Sequence, residues 1–277
     1  MKIAILLATY NSAEFIREQL DSLYTQTIKE WKLYIHDDGS KDNTLEIIED
    51  YQKKYGNIYL IGEDIKGLGP KDNFLYLLSQ VEADYYFFCD HDDIWLPQKI
   101  ERAIQQLHTI DYNKPQLIPA VYHSDLKLVD KDLDPISDSM WSYAKIIPKY
   151  MHKKEYVLCA TFITGCTLAI NNAMKNLVEA CPDFVYMHDW WIGVNAVMNN
   201  VKIISDNQPL ILYRQHGNNA AGIDKTSSKR YLNKISQIFS GSRHDKKIKP
   251  LIKRYNIKGY WIYKRLLIMK RLFHKYK

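Results

Sequence analysis

Apolar runs alternate with helical patterns through the first hundred residues, and this alternation constrains the fold more than any other feature. Four short runs typical of buried strands are each followed by a segment whose apolar residues share one helical face. The runs lie at residues 2–8, 31–35, 58–61 and 85–88. Because consecutive strand and helix units join parallel strands by right-handed crossovers, the sequence predicts an α/β fold with a mostly parallel sheet flanked by helices. A chain of 277 residues can hold one large domain of this kind and an appendage.

Polar turns follow three of these runs. In parallel sheets, ligands bind outside the carboxyl ends of the strands, so we expect the three turns to meet at one crevice. The sequence has no G-x-G-x-x-G after the first run and no G-x-x-x-x-G-K-[ST], which argues against a dinucleotide fold and a P-loop. The turns are Thr9-Tyr10-Asn11, Asp37-Asp38-Gly39-Ser40 and Asp90-His91-Asp92-Asp93.

The third turn holds three carboxylates. Like charges this close repel one another unless a cation neutralises them. Carboxylates at the end of a strand suit Mg²⁺ or Mn²⁺, with substrate phosphates completing the coordination shell. The alternative is a solvated acidic turn that caps the following helix. Lys71, in a glycine-containing turn, could reach a diphosphate or could be an ordinary solvated lysine.

The cysteines and the amino-terminal run bear on where the protein works. The four cysteines form no C-x-x-C pair and fit no zinc spacing, so we expect reduced thiols in a cytosolic protein. The apolar run after Lys2 is too short for a signal peptide, and no segment has the apolar length of a membrane span.

Positive charge is concentrated at the carboxyl end. Residues 243–277 contain 13 Lys or Arg and one acid, Asp245, whereas the rest of the chain has 25 basic and 31 acidic residues. In residues 255–276 these basic residues interleave with aromatic and aliphatic ones, which predicts an interfacial helix on an anionic membrane surface. A helix packed on the body is the alternative. The acidic body argues against nucleic acid as a partner.

Six sequence blocks in order resemble those of family 2 glycosyltransferases, which have the GT-A fold. The resemblance covers residues 1–225, with a nucleotide-binding half at about 1–110, an acceptor half at about 111–225 and a basic extension at 226–277. The later blocks resemble those of bacterial polysaccharide rhamnosyltransferases. The blocks are Ala8-Thr9-Tyr10-Asn11, Asp37-Asp38-Gly39-Ser40, Asp90-His91-Asp92-Asp93-Ile94-Trp95, Thr164-Gly165-Cys166, His188-Asp189-Trp190-Trp191 and Gln215-His216-Gly217-Asn218-Asn219.

The resemblance implies roles for the donor-side residues. Asp38 would accept a hydrogen bond from the pyrimidine base, and Asp90 would lie near the ribose. Asp92 would ligate a divalent cation, Mn²⁺ or Mg²⁺, and His216 would lie near the metal or the diphosphate. The nucleoside pocket would also include Ala8, Thr9 and Tyr10.

On the acceptor side, the resemblance makes Asp189 the general base, with helix capping as its alternative role. Trp190 and Trp191 would form an acceptor platform or belong to the core. One base without a second nucleophilic carboxylate implies a single displacement and inversion. A carboxylate base is required because a sugar hydroxyl is a poor nucleophile until its proton is removed.

Together these features predict a metal-dependent, inverting glycosyltransferase of bacterial surface-polysaccharide synthesis. The donor would be dTDP-L-rhamnose or a UDP-sugar, and the acceptor a hydroxyl of a lipid-linked saccharide. We expect a cytoplasmic protein attached peripherally to the inner face of the plasma membrane. The alternatives are a nucleotidyltransferase and a catalytically silent protein that binds sugar nucleotides.

Overall fold

The structure, a computed structural model, describes residues 1–216 and 243–274. Its strands are β1 (Ile3–Thr9), β2 (Trp31–Asp37), β3 (Ile58–Leu60), β4 (Tyr85–Cys89), β5 (Ile94–Trp95), β6 (Ala120–Ser124), β7 (Lys127–Asp130), β8 (Pro135–Ser137), β9 (Ala169–Asn171), β10 (Lys202–Asp206) and β11 (Ile211–Gln215).

The longer helices are α1 (Ile16–Tyr24), α2 (Thr44–Lys54), α3 (Gly69–Gln80), α4 (Lys99–Asp111), α9 (His188–Met198) and α12 (Tyr260–Phe273). The shorter ones are α5 (Met140–Ala144), α6 (Pro148–Met151), α7 (Lys154–Val157), α8 (Asn172–Lys175), α10 (Arg243–Lys247) and α11 (Lys249–Arg254), with a 3₁₀ turn at Gly165–Thr167.

The main sheet has seven strands in the order β10-β6-β9-β4-β1-β2-β3. Every pairing in it is parallel except those of β9, which runs antiparallel to both β4 and β6. The four runs predicted as strands are β1 to β4. The alternation therefore predicted a mostly parallel sheet correctly. The other three strands, β6, β9 and β10, lie beyond the first hundred residues, and the antiparallel one, β9, is three residues long.

Apolar side chains cover both faces of this sheet. Residues of β1 alternate between two core clusters, with Leu6 in one and Ile5 in the other. A central strand covered on both faces must be apolar throughout, which explains the continuous run in the sequence.

A smaller sheet has the order β5-β11-β7-β8. Three of its strands, β5, β7 and β11, directly follow the main-sheet strands β4, β6 and β10 along the chain. The antiparallel pairing of β5 with β11 joins the segment after Asp93 to the segment before His216. Two turns far apart in the sequence are brought together in this way.

The predicted carboxyl-terminal helix is α12. Its Tyr260 and Leu267 are buried in the main core cluster, and Tyr263 contacts Tyr156 of α7 edge to face. Asp245 accepts hydrogen bonds from the Tyr260 hydroxyl and the Lys264 ammonium group. One side of α12 therefore packs on the body. The predicted boundary between residues 225 and 226 lies outside the described residues.

Candidate active site

A cavity of about 570 Å³ opens at the carboxyl ends of β1, β2 and β4. The amino-terminal ends of α3 and α9 and the end of β11 complete its wall. Members of all three predicted polar turns line it, as the parallel sheet predicted. Eight of the predicted site residues are in its lining: Ala8, Thr9, Tyr10, Asp38, Asp90, Asp92, Asp189 and His216.

Asp38 holds a loop at the mouth of the cavity. Its Oδ1 atom accepts the backbone amide of Leu68 at 2.7 Å, and its Oδ2 atom accepts that of Gly69 at 2.8 Å. These bonds fix the amino-terminal end of α3 against the turn after β2. Asp38 thus has a structural role in this loop, besides the base contact that the resemblance implies.

The Asp37 side chain stabilises the same turn by hydrogen bonds. Its carboxylate accepts hydrogen bonds from the Thr9 hydroxyl at 2.8 Å and the Ser40 hydroxyl at 2.6 Å. The carboxyl ends of β1 and β2 are therefore joined by side chains as well as by the sheet. This shapes the floor of the cavity.

Lys71 does not line the cavity. It lies in the first turn of α3, where its ammonium nitrogen is 3.3 Å from a carboxylate oxygen of Asp72. In this structure Lys71 therefore forms a local ion pair, and its contact with a diphosphate stays a prediction.

Asp92 and His216 meet at one side of the cavity. The Nε2 atom of His216 is 2.7 Å from the Oδ2 atom of Asp92, and both side chains are nearly buried. Burial opposes ionisation of Asp92, but the hydrogen bond with His216 and the nearby His91 and His216 outweigh it and lower the pKa of Asp92. An ionised carboxylate beside an imidazole nitrogen is a donor pair suited to Mn²⁺.

Asp90 differs from Asp92. Burial, followed by repulsion from Asp92 and Asp189, raises the pKa of Asp90 to about 8. Three carboxylates around one cavity thus repel one another, which is the physical reason that a cation would bind favourably there.

Asp93 points away from the cavity into the protein. It is fully buried, and its Oδ1 atom accepts the backbone amide of Arg214 at 3.2 Å. Arg214 is also buried, and sequence reasoning did not identify it. Neither the acidic turn nor the residues around His216 gave a signal that these two segments would pair.

Asp189 lies in the first turn of α9 and lines the cavity. Its Oδ1 atom accepts the backbone amide of Trp190 at 2.5 Å. Burial raises the pKa of Asp189 to about 6, and backbone amides of Trp190, Gly165 and Asp189 limit the rise. The carboxylate therefore accepts a backbone amide in the first turn of its helix and faces the cavity with a basicity suited to accepting a proton near neutral pH.

Trp190 and Trp191 lie in the core and do not line the cavity. The indole N–H of Trp190 donates to the carbonyl of Val157 at 3.3 Å, and that of Trp191 donates to the carbonyl of Glu179 at 2.8 Å. The predicted acceptor platform is thus corrected, because both rings turn inward from α9.

His188 and Gly165 were in the sequence blocks without assigned roles. The ring of His188 packs against Phe74 and Phe88 at centroid distances of 4.2 and 5.3 Å. A Cβ atom on Gly165 would lie 3.0 Å from the His188 Nε2 atom and 3.6 Å from the Asp189 Oδ2 atom. Gly165 therefore leaves room for the two residues that begin α9.

Comparisons with known proteins give the family. The model of Glycosyl transferase family 2 matches residues 4–174. The dTDP-rhamnosyl transferase RfbG of Shigella flexneri is 34% identical over 232 residues, covering 81% of this chain and 76% of that protein. An uncharacterized glycosyltransferase of Rickettsia typhi, RT0329, is 28% identical over 77% of this chain and 64% of that protein.

Two solved structures show the same fold at low identity. S. aureus TarS 1-349 in complex with UDP-GlcNAc has a TM-score of 0.58 at 17% identity, covering 98% of this chain and 81% of that one. The mannosyltransferase PcManGT from Pyrobaculum calidifontis, in complex with GDP-Man and Mn²⁺, has a TM-score of 0.56 at 14% identity, covering 98% and 73%.

Proposed function

Because the chain belongs to glycosyl transferase family 2 and is a glycosyltransferase, we propose that it moves a sugar from a nucleoside-diphosphate sugar to a hydroxyl of a lipid-linked saccharide. The predicted GT-A fold is confirmed. The observation that carries the proposal is that Asp189 shares one cavity with Asp92 and His216. The proposed general base, Asp189, and the proposed cation ligands, Asp92 and His216, would then contact the same bound nucleotide sugar.

Asp92 and His216 would hold a divalent cation, Mn²⁺ or Mg²⁺. A cation bound there would favour the ionised form of Asp90, whose pKa is otherwise raised to about 8. Such a cation, when bound, stabilises the negative charge that develops on a departing nucleoside diphosphate. The Nε2 atom of His216 and the Oδ2 atom of Asp92 are 2.7 Å apart, which supports this assignment. If the two side chains moved slightly apart, both atoms could coordinate one ion.

Asp189 would take the proton of the acceptor hydroxyl as that oxygen attacks the anomeric carbon. The bond to the diphosphate breaks as the new glycosidic bond forms, so the configuration inverts in a single displacement. With a pKa of about 6, the carboxylate is mostly ionised at neutral pH and still basic enough to assist.

The donor is proposed from the relatives. The Shigella protein is a dTDP-rhamnosyl transferase, and the TarS structure holds UDP-GlcNAc. We therefore place dTDP-L-rhamnose first and a UDP-sugar second. Surface polysaccharide is the product class that fits the rhamnosyltransferase relative.

A thermal-shift panel of nucleoside diphosphates and nucleotide sugars, with and without Mn²⁺, tests this function. A ligand that binds only the folded state raises the unfolding temperature. We expect dTDP or UDP to give a shift that requires Mn²⁺, and the matching nucleotide sugar to release its diphosphate when a lipid-linked acceptor is added. A shift for a nucleoside triphosphate alone, with pyrophosphate release, would instead indicate a nucleotidyltransferase.

The outer face of α12 supports peripheral attachment to the cytoplasmic membrane leaflet. Ile262 is 63% exposed and Phe273 is 77% exposed, and Leu266 and Met269 are exposed between them. Arg265 is exposed on the same helix, so a positive group occurs beside the apolar ones, which favours contact with anionic lipid. Lys270 does not belong to this face, because its ammonium nitrogen lies 3.9 Å from the centre of the Tyr150 ring. Among the residues that the structure describes, no helix is long and apolar enough to cross a membrane.

Flotation of the full chain with phosphatidylglycerol-containing vesicles tests this attachment. We expect the paired substitution Met269→Glu and Phe273→Glu to abolish flotation. The matched control is Leu117→Glu, since Leu117 is 74% exposed in a loop before β6. Equal flotation of the parent and the α12 variant would refute membrane attachment by this face.

A further inference from the structure

From a buried position in β11, Arg214 bonds to three other segments of the chain. Its Nε atom donates to the carbonyl of Asp92 at 2.9 Å, and its Nη1 atom donates to the carbonyl of Lys131 at 2.6 Å. Its Nη2 atom is 2.5 Å from a carboxylate oxygen of Glu18 on α1. Its own backbone amide donates to Asp93. The acidic turn is thus bound by both the main chain and the side chain of one residue.

Phe15 connects the same guanidinium to His216. The guanidinium carbon of Arg214 lies 4.7 Å from the centre of the Phe15 ring. The ring of His216 lies 4.9 Å from that of Phe15, tilted by 33°. Since Phe15 also lines the cavity, it forms a wall beside the imidazole.

We propose that Arg214, together with Phe15, is a positioning residue that fixes Asp92 and His216 for cation binding. The inference rests on the proposed function, in which these two side chains hold a divalent cation. The Arg214 guanidinium holds Asp92 by a hydrogen bond to the Asp92 backbone carbonyl. It holds His216 in two ways: Phe15 packs against both side chains, and Arg214 and His216 are separated by one residue in the chain. The positions of the two proposed metal ligands, Asp92 and His216, therefore both depend on the Arg214 guanidinium.

The chemistry of the guanidinium suits this role. It is planar, it offers several N–H groups in fixed directions and it stacks on aromatic rings. A lysine at this position would keep the charge but could not hold Asp92, Lys131 and Glu18 while lying flat on Phe15. Groups that orient metal ligands typically contribute about 10- to 100-fold to metal affinity.

Mn²⁺ binding, measured by electron paramagnetic resonance of the free ion, tests the proposal without reference to turnover. The titration is done on the full chain with Mn²⁺ alone and with Mn²⁺ plus dTDP or UDP. We expect Arg214→Lys to weaken Mn²⁺ binding by at least about tenfold. Any part of the nucleotide affinity that does not depend on Mn²⁺ should be unchanged, because within the described ranges the guanidinium of Arg214 bonds to Asp92, Lys131 and Glu18 and not to the turn that holds Asp38.

Arg102→Lys is the matched control. Arg102 on α4 also forms an ion pair, with Asp206 at 2.7 Å, but does not line the cavity. If Arg214→Lys does not fold, Mn²⁺ binding by Glu18→Ala tests the proposal instead. Glu18 is exposed and contacts Arg214 without lining the cavity. We expect it to weaken Mn²⁺ binding in the same direction by a smaller factor.

Unchanged Mn²⁺ affinity in the folded variants would overturn the positioning role and leave the proposed function intact. A parent chain that binds no Mn²⁺ even with nucleotide would overturn the metal site itself, and the positioning role with it. The two failures are therefore distinguishable in one experiment.

Discussion

The Nε2 atom of His216 lies 2.7 Å from the Oδ2 atom of Asp92, although 124 positions separate the two residues in the chain. The pairing of β5 with β11 produces this contact, because Asp92 precedes one strand and His216 follows the other. A carboxylate and an imidazole in this arrangement either bond to each other or share a cation. The proposed metal-dependent function would require exchange between these two states.

Asp92→Asn should abolish the Mn²⁺-dependent part of nucleotide binding. The amide keeps the size of the side chain but removes the charge that a hard cation needs. Isothermal titration of dTDP or UDP with and without Mn²⁺ measures this loss. Asp50→Asn, which changes an exposed carboxylate paired with Arg17, is the control. Retained Mn²⁺-dependent affinity in the Asp92 variant would contradict the ligand assignment.

Asp189→Asn should lower turnover by about 10²- to 10⁴-fold, the usual contribution of a general base. The amide can still accept the backbone hydrogen bond from Trp190, so the start of α9 should be preserved. Donor affinity should be unchanged. Turnover is measured as release of nucleoside diphosphate in the presence of acceptor, and near-normal turnover would remove Asp189 from the mechanism.

The same base predicts the pH dependence of the reaction. Only the ionised carboxylate can accept the proton, and burial raises the pKa of Asp189 to about 6. Activity should therefore be full above that pH and fall by roughly tenfold per pH unit below it. The profile of kcat/KM at saturating Mn²⁺ measures the effect. A rate that stays constant well below pH 6 would be inconsistent with this base.

Trp191→Ala should destabilise the protein by about 3–5 kcal/mol, the range found when a buried aromatic side chain is truncated. Trp191 is fully buried, and its indole N–H is bonded to Glu179. Urea denaturation measures the change. Trp261→Ala is the matched control, because Trp261 is 45% exposed on α12 and should have little effect. Unaltered stability with a raised KM for the acceptor would restore the acceptor platform that the sequence predicted.

The sequence predicted β1 to β4 well because each of these strands is one continuous run of mainly apolar residues. A buried parallel strand is apolar along its whole length, and β1 and β4 show this in their residues alone. The placement of the polar turns followed from the same logic, since parallel strands end at one edge. By contrast, β9 is short and antiparallel, and no local pattern predicts its insertion between β4 and β6.

The inner supports of the site could not be predicted, because they depend on contacts between distant segments. Asp93 resembles Asp92 in the sequence, yet its carboxylate turns inward to the amide of Arg214. The tryptophans after Asp189 were ambiguous for a related reason: a helix shows which residues are apolar but not which neighbours cover them. In the structure, the two indole N–H groups donate to the carbonyls of Val157 and Glu179, which places both rings in the core.

Gly165→Ala should impair turnover while leaving nucleotide binding intact. The added Cβ atom would lie 3.0 Å from the Nε2 atom of His188, which is closer than packed atoms tolerate without movement. Since Phe74 and Phe88 hold the His188 ring, the strain should shift the start of α9 and with it Asp189. A displacement of about 1 Å at a catalytic group can cost on the order of 10²-fold in rate. Gly56→Ala is the control, because a Cβ atom there would meet nothing within 4 Å. Full turnover by the Gly165 variant would show that α9 absorbs the methyl group without moving the base.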